Sequence, residues 1–169
     1  MKNLILALTA IFSLSLACAQ NDISKFEGTW LKHYQPICDS HGKILIGPHT
    51  IYIRIQNTDG KIIVRMKNID DTDGHAIYYK DGSGVLSGNT LEFTIPAGSD
   101  YNYDNKKVNG AIVHYSKDFW KYKAQIKNGA LSTTYDIYMM YYNKFDRYLG
   151  DESLPMRTPE IFYNENDNW

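Results

Sequence analysis

Cysteine is scarce: Cys18 and Cys38 are the only two in 169 residues. Cys18 falls in an N-terminal leader, so the mature chain keeps Cys38 alone and holds no internal disulfide. Stability must then come from a packed core. A chain of roughly 150 residues can build one, burying about 70% of its unfolded surface. Cys38 reads as a small buried residue rather than a reactive thiol. An excess of one charge is also lacking. Eighteen basic residues face nineteen acidic ones, for a net charge of −1, and the basic residues do not cluster. Nucleic acid is therefore not an expected partner, because neutralising phosphates needs a basic face. After the leader no apolar run reaches the ~18 residues of a membrane-spanning helix. No amphipathic helix of ordinary length is evident either. Catalytic signatures are missing too: there is no G-x-S-x-G elbow, no H-E-x-x-H and no phosphate-binding loop. The expectation is a protein that is not an enzyme and needs no cofactor.

What is present begins with the leader. Met1-Lys2-Asn3 is a short positive start, residues 4–16 are almost wholly apolar, and Ala17-Cys18-Ala19 is a small-residue exit. This order describes a secretory signal peptide over residues 1–19, followed by one domain over residues 20–169. Two cuts remain open. One is simple cleavage after Ala19. The other uses Leu14-Ser15-Leu16-Ala17-Cys18, which resembles a bacterial lipobox and would place a lipid on Cys18. Both imply export, to a periplasmic, outer-membrane-anchored or extracellular place. Only the second brings the protein to a membrane.

The chain is rich in aromatics, with fourteen tyrosines, three tryptophans and six phenylalanines, all but Phe12 in the mature part. Aromatic residues favour strands. Ile51, Ile53 and Ile55 alternate with polar neighbours, as do Ile62, Val64 and Met66, and Asn57-Thr58-Asp59-Gly60 lies between them. That is a half-buried hairpin. Pairing Asn57 with Gly60 sets Ile55 against Ile62, Ile53 against Val64 and Ile51 against Met66. A second hairpin turns at Asn128-Gly129, the preferred type I′ pair. It sets Ile126 against Leu131, Tyr122 against Tyr135 and Trp120 against Ile137. Val85 to Ile95, with a turn at Ser87-Gly88-Asn89, suggests a third. Further strands are expected over 28–35 and 75–80. Another is expected over 111–116, turning at Lys117-Asp118 into Phe119. Asn21 to Phe26 suits a short helical turn. The tail from Lys144 to Trp169, interrupted by Pro155 and Pro159, reads as irregular. The fold class is all-β: an antiparallel up-and-down meander of eight or nine strands closing into a barrel, with an irregular C-terminal tail.

Phe26-Glu27-Gly28-Thr29-Trp30 opens the first strand directly after the leader. It resembles the start of lipocalin and fatty-acid-binding-protein chains, the calycin group, where a Gly-x-Trp stands in the same place. The resemblance implies that Gly28 and Trp30 build a closed barrel end. It also implies a basic partner for the tryptophan, with Arg147 as the candidate. The segment from Gln35 to His49 would match the large loop over a lipocalin mouth.

Four constellations could carry chemistry. An eight-stranded barrel can hold one small ligand, and the candidate lining is Tyr78, Phe93, Trp120, Tyr122, Tyr135, Ile137 and Met139. The alternative is that these side chains fill a closed core. Cys38, Asp39, His41 and His49 are zinc-binding types, and Asp70, Asp71 and Asp73 precede Gly74. Neither spacing fits a known site, so no metal is expected. His114, His75, Arg54, Arg65, Asp136 and Glu92 are polar strand residues without a catalytic pattern. Finally Tyr138, Met140 and Tyr142, with Phe119 beside Tyr138, form an outward aromatic strip, and Tyr101 and Tyr103 sit in a nearby loop. Tyrosines of this kind bind glycans, unless the C-terminal tail covers them. The leading expectation is an exported binding protein holding a small hydrophobic or amphipathic ligand in the barrel. The competing one is a module that recognises carbohydrate or protein through surface tyrosines.

Overall fold

The turn sequences set the strand pairing. Asn128 and Gly129 both have positive φ, 52° and 76°, as a type I′ turn requires. The hairpin they close pairs Lys127 with Ala130, Tyr122 with Tyr135 and Trp120 with Ile137, the expected register throughout. At the first hairpin the positive-φ pair is Asp59 and Gly60, at 52° and 77°. Thr58 therefore faces Lys61, and the isoleucines pair as Ile55 with Val64 and Ile53 with Met66. The expected register is corrected by two residues. An even shift keeps every side chain on its own face, so the apolar side stays inward.

The computed structural model describes residues 22–103, 105–165 and 169, the side chains of 98–101 excepted. The leader and Cys18 lie outside the described residues. A 3-10 turn, Ile23–Lys25, is capped by the Asp22 carboxylate, which accepts from the Ser24 N–H at 3.0 Å. The strands follow as β1 (Gly28–Tyr34), β2 (Ile37–Cys38), β3 (Ile44–Ile46), β4 (His49–Thr58), β5 (Lys61–Asp70), β6 (Ala76–Tyr78) and β7 (Gly82–Ser87). Then come β8 (Thr90–Asn102), β9 (Lys107–Val108), β10 (Ala111–Ile112), β11 (Tyr115–Lys127), β12 (Ala130–Tyr142) and β13 (Tyr148–Glu165). Eight of them, β1, β4, β5, β7, β8, β11, β12 and β13, each pair antiparallel with their neighbour in this order, and β13 returns to β1. The sheet is a closed up-and-down barrel, with β6 an extra strand on β5 and with two small hairpins, β2–β3 and β9–β10. No helix among the described residues is long and apolar enough to cross a membrane.

Three sequence expectations are corrected. The tail is not irregular: β13 is an 18-residue strand that closes the barrel, with Phe162 buried on its inner side. Pro155 stays in register opposite Asp136, and Pro159 sits where the β12–β13 register shifts, between the Thr133–Glu160 and Tyr135–Met156 pairs. A bulge is one of the few places a strand accepts proline. Lys117-Asp118 is not a turn: β11 runs through it, with a register shift against β8. Cys38 is not buried but exposed, on the two-residue strand β2.

Strand direction gives the barrel two unlike ends. The tight turns at 59–60, 88–89 and 128–129 gather at one end, where Phe26 enters as a plug, fully buried. Gly28 has φ +126°, and a Cβ there would meet the Asn164 side chain at 3.1 Å, so glycine alone fits this entry. The Trp30 indole N–H donates to the Phe26 carbonyl at 2.8 Å. Arg147 is not its partner. It follows β12, in the connection to β13, at the opposite end of the barrel. Around Trp30 a continuous core of Ile53, Ile55, Val64, Leu91, Leu131 and Phe162 is at most 3% exposed. The other end carries the longer excursions at 35–48, 71–81, 103–114 and 143–147.

Candidate functional site

Beyond Trp30 the inner wall changes character. Strand alternation sends Trp30, Lys32 and Tyr34 to one face of β1, against Ile53, Ile51 and His49 of β4. On β13 the same logic turns Glu160 inward next to Phe162, opposite Thr133. The three polar side chains meet at one atom. The Lys32 ammonium lies 3.0 Å from Glu160 Oε1, and the Tyr34 hydroxyl donates to that same oxygen at 2.8 Å. Lys32 Nζ also sits 4.2 Å from the Tyr34 ring centre, and His49 stacks on the ring at 4.7 Å. The ion pair is 27% and 19% exposed, so it is only partly screened by water.

Phenols surround this carboxylate. Burial, then the hydrogen bond to Glu160 and its charge, hold the Tyr34 phenol far above its ordinary range. Tyr122 is pushed up by burial first and then by Tyr135 and Glu160. Tyr135 rises through burial and the charge of Glu160. All three stay neutral phenols. Phe93 stacks on Tyr122 at 4.8 Å, Tyr135 tilts against Tyr122 at 5.0 Å, and Tyr79 meets Trp120 at 5.2 Å. Above them Ile137 and Tyr135 share a face with Leu154 and Met156, which are 47% and 44% exposed. Two inward acceptors, Asn68 Oδ1 and Thr133 Oγ1, are buried without a partner among the described residues. Lone buried acceptors are costly and call for an explanation.

Of the expected lining, Phe93 and Tyr122 belong to the core, and Trp120 and Tyr135 are half-buried on its rim. Ile137 is half-buried further up the same wall. Tyr78 is corrected. It is 67% exposed and in register with Lys67 on the outer face, and its neighbour Tyr79 packs inward instead. Met139 belongs to a different cluster, over the extended end of β11–β12. There its sulfur lies 3.5 Å from the Tyr141 hydroxyl oxygen. Tyr141 in turn donates to Glu152 at 2.7 Å and accepts from Lys106 at 2.5 Å. The hydrogen bonds that Glu152 accepts from Tyr141 and from Lys106, the latter at 2.9 Å, hold its carboxyl below its usual range. Lys32, Tyr34 and Glu160 were not anticipated. A signal existed, because they stand two and four residues after Trp30 and two before Phe162.

The remaining candidates are structural in their contacts. Asp39 accepts from the backbone N–H groups of His41 and Lys43, closing the β2–β3 hairpin. Asp70 and Asp73 likewise accept from the N–H groups of Thr72 and His75. Among the described residues no three metal-binding side chains converge. On the outer face His33 Nδ1 lies 2.6 Å from the Thr50 hydroxyl, which contacts Asp71 at 2.8 Å. Thr50 is 2% exposed, so this hydroxyl cannot reach a substrate. Searches for similar proteins return no matching family model, no matching curated protein and no matching solved structure.

Proposed function

We propose that the protein is a lipocalin-like carrier whose open half binds one small amphipathic ligand. The carrying observation is the change along the inner wall, from side chains almost wholly sealed to a part-exposed aromatic and aliphatic wall that ends at Glu160. An apolar body would lie against Trp120, Ile137, Leu154 and Met156. A polar end would reach the Lys32–Glu160–Tyr34 cluster. A lining of this kind, mainly apolar with a few convergent polar groups, is the common form in small-molecule sites. Because Lys32 and Glu160 neutralise each other, the cluster suits an uncharged head such as a hydroxyl or amide, which can both donate and accept. The Gly28-x-Trp30 entry and the meander order agree with the calycin group. The leader pattern of residues 1–19 adds export to this reading.

The test is titration of the purified protein with 1-anilinonaphthalene-8-sulfonate and with a medium-chain fatty alcohol. Saturable one-site binding that changes tryptophan emission is expected, and Met156→Arg, which places a charge on the wall, should weaken it at least tenfold. If neither probe binds, the interior is filled and the reading fails.

A further inference from the structure

We infer that the ligand reaches the open half from the side, through a window between β1 and β13 that Glu160 latches through Lys32 and Tyr34. The inference rests on the carrier reading and adds the route to it. β13 runs edge to edge with β12, from Leu131–Phe162 to Tyr142–Tyr148, rather than across the outer tyrosine strip. Its other edge is different. It meets β1 in three pairs, Thr29–Glu165, Trp30–Asn164 and Leu31–Tyr163. β1 then follows β4 as far as the Tyr34–His49 pair. Among the described residues no strand flanks β13 on that side from Phe162 back to Tyr148. Burial marks where the two strands part. At 160–162 exposure alternates, as in a strand with a covered inner face, and Phe162 is sealed. At 151–159 every residue is exposed, so both faces of the strand are wet. Leu154 and Met156, the apolar wall, lie in this stretch.

Side chains bridge the parted strands. The Lys32 ammonium and the Tyr34 hydroxyl both reach Glu160 Oε1, at 3.0 and 2.8 Å. Tyr34 stands three residues beyond Leu31, about 10 Å along the strand, so long side chains do there what backbone bonds do below. One oxygen holds both contacts, and a shift of Glu160 releases them together. Below the window the seam is pinned from outside. Trp169, four residues after Glu165, lies 4.8 Å from Lys67 Nζ on β5, on the far side of β1. The strands can part above Leu31 without separating below it.

Other routes are covered. The β5–β7 seam also has three pairs, but β6 takes over beside β5, and Tyr79 packs inward against Trp120. Along the axis, the 103–114 excursion lies over the inner face of β12. There Tyr141 is 1% exposed, Val113 is fully buried, and Tyr103 meets Tyr141 edge-on at 6.0 Å. On the opposite wall the His49 ring, stacked on Tyr34, roofs the ends of β1 and β4. What stays uncovered among the described residues is the gap beside Leu154 and Met156.

Crosslinking tests the route, with 1-anilinonaphthalene-8-sulfonate as the probe. His33 and Ile161 stand on the outer face, two residues past the Leu31–Tyr163 pair, one on each side of the window. In a Cys38→Ser background, His33→Cys/Ile161→Cys is joined by a short bismaleimide. Dye loaded before joining should stay bound through gel filtration. Dye added afterwards should enter at least tenfold more slowly than in the unjoined variant, by stopped-flow fluorescence. Tyr34→Phe removes one latch contact and keeps the ring, so it should speed entry and release alike, at least threefold. If the wild-type protein binds no dye, the carrier reading and the route fall together. If dye binds but enters and leaves the joined protein as fast as the unjoined one, the route alone falls. If Tyr34→Phe speeds release without speeding entry, Tyr34 is a ligand contact and the latch is overturned.

Discussion

The two halves of the barrel interior use the same eight strands and the same alternation, yet they solve different problems. In the closed half, β1, β4, β5, β12 and β13 contribute Trp30, Ile53, Val64, Leu131 and Phe162, all at most 3% exposed. In the open half the same strands contribute Lys32, Ile51, Asn68, Tyr135 and Glu160, none of them fully sealed. Moving two to four residues along a strand is enough to pass from one regime to the other. A barrel lets stability and binding share each strand, because burial varies along the barrel axis while strand pairing does not.

Truncation sharpens this contrast most. Phe162→Ala empties a sealed site and detaches the closing strand from the core, so a loss of about 3–5 kcal/mol in urea unfolding is expected. Met156→Ala removes a side chain still 44% exposed, and about 1 kcal/mol or less is expected there. Equal losses would erase the distinction between the halves.

Alkali probes the seam. Tyr34 and Tyr122 have phenols raised in the folded state, chiefly by burial. A raised group stabilises fully below its unfolded pKa, about 10 for tyrosine. That stability is lost as pH rises through the folded value. Unfolding free energy should therefore decline above about pH 10, and phenolate absorbance from these two rings should appear only with unfolding. Titration of Tyr122 inside a folded barrel would show that water reaches the closed half. The smallest effect belongs to the outside: Lys123 and Glu92 form an ion pair 63% and 54% exposed. Lys123→Ala should change stability by no more than about 0.5 kcal/mol.

The strand map was legible because alternation and turn chemistry are local. Asn128-Gly129 fixed the eight pairs from Lys127–Ala130 to Trp120–Ile137 correctly, while at Asn57-Thr58-Asp59-Gly60 the turn falls one residue later than expected, on the positive-φ pair Asp59-Gly60. Pro155 and Pro159 concealed β13, since the bulge that shelters Pro159 and the pairing of Pro155 with Asp136 both depend on the partner strand. The polar cluster was hidden for a similar reason. Nothing near Lys32 in the chain announces Glu160, and only barrel closure brings β1 and β13 together.

That closure has a consequence for how the chain reaches its shape. The pairing of Leu31 with Tyr163 joins the first strand to the last, so the ring cannot be completed until the C-terminal segment has been made. Until then β1 and β12 present unsatisfied edges, the condition in which sheets associate with one another. Contacts so distant in sequence form slowly, which makes the final strand the kinetic bottleneck, and a holding chaperone or dilute conditions should favour recovery over aggregation.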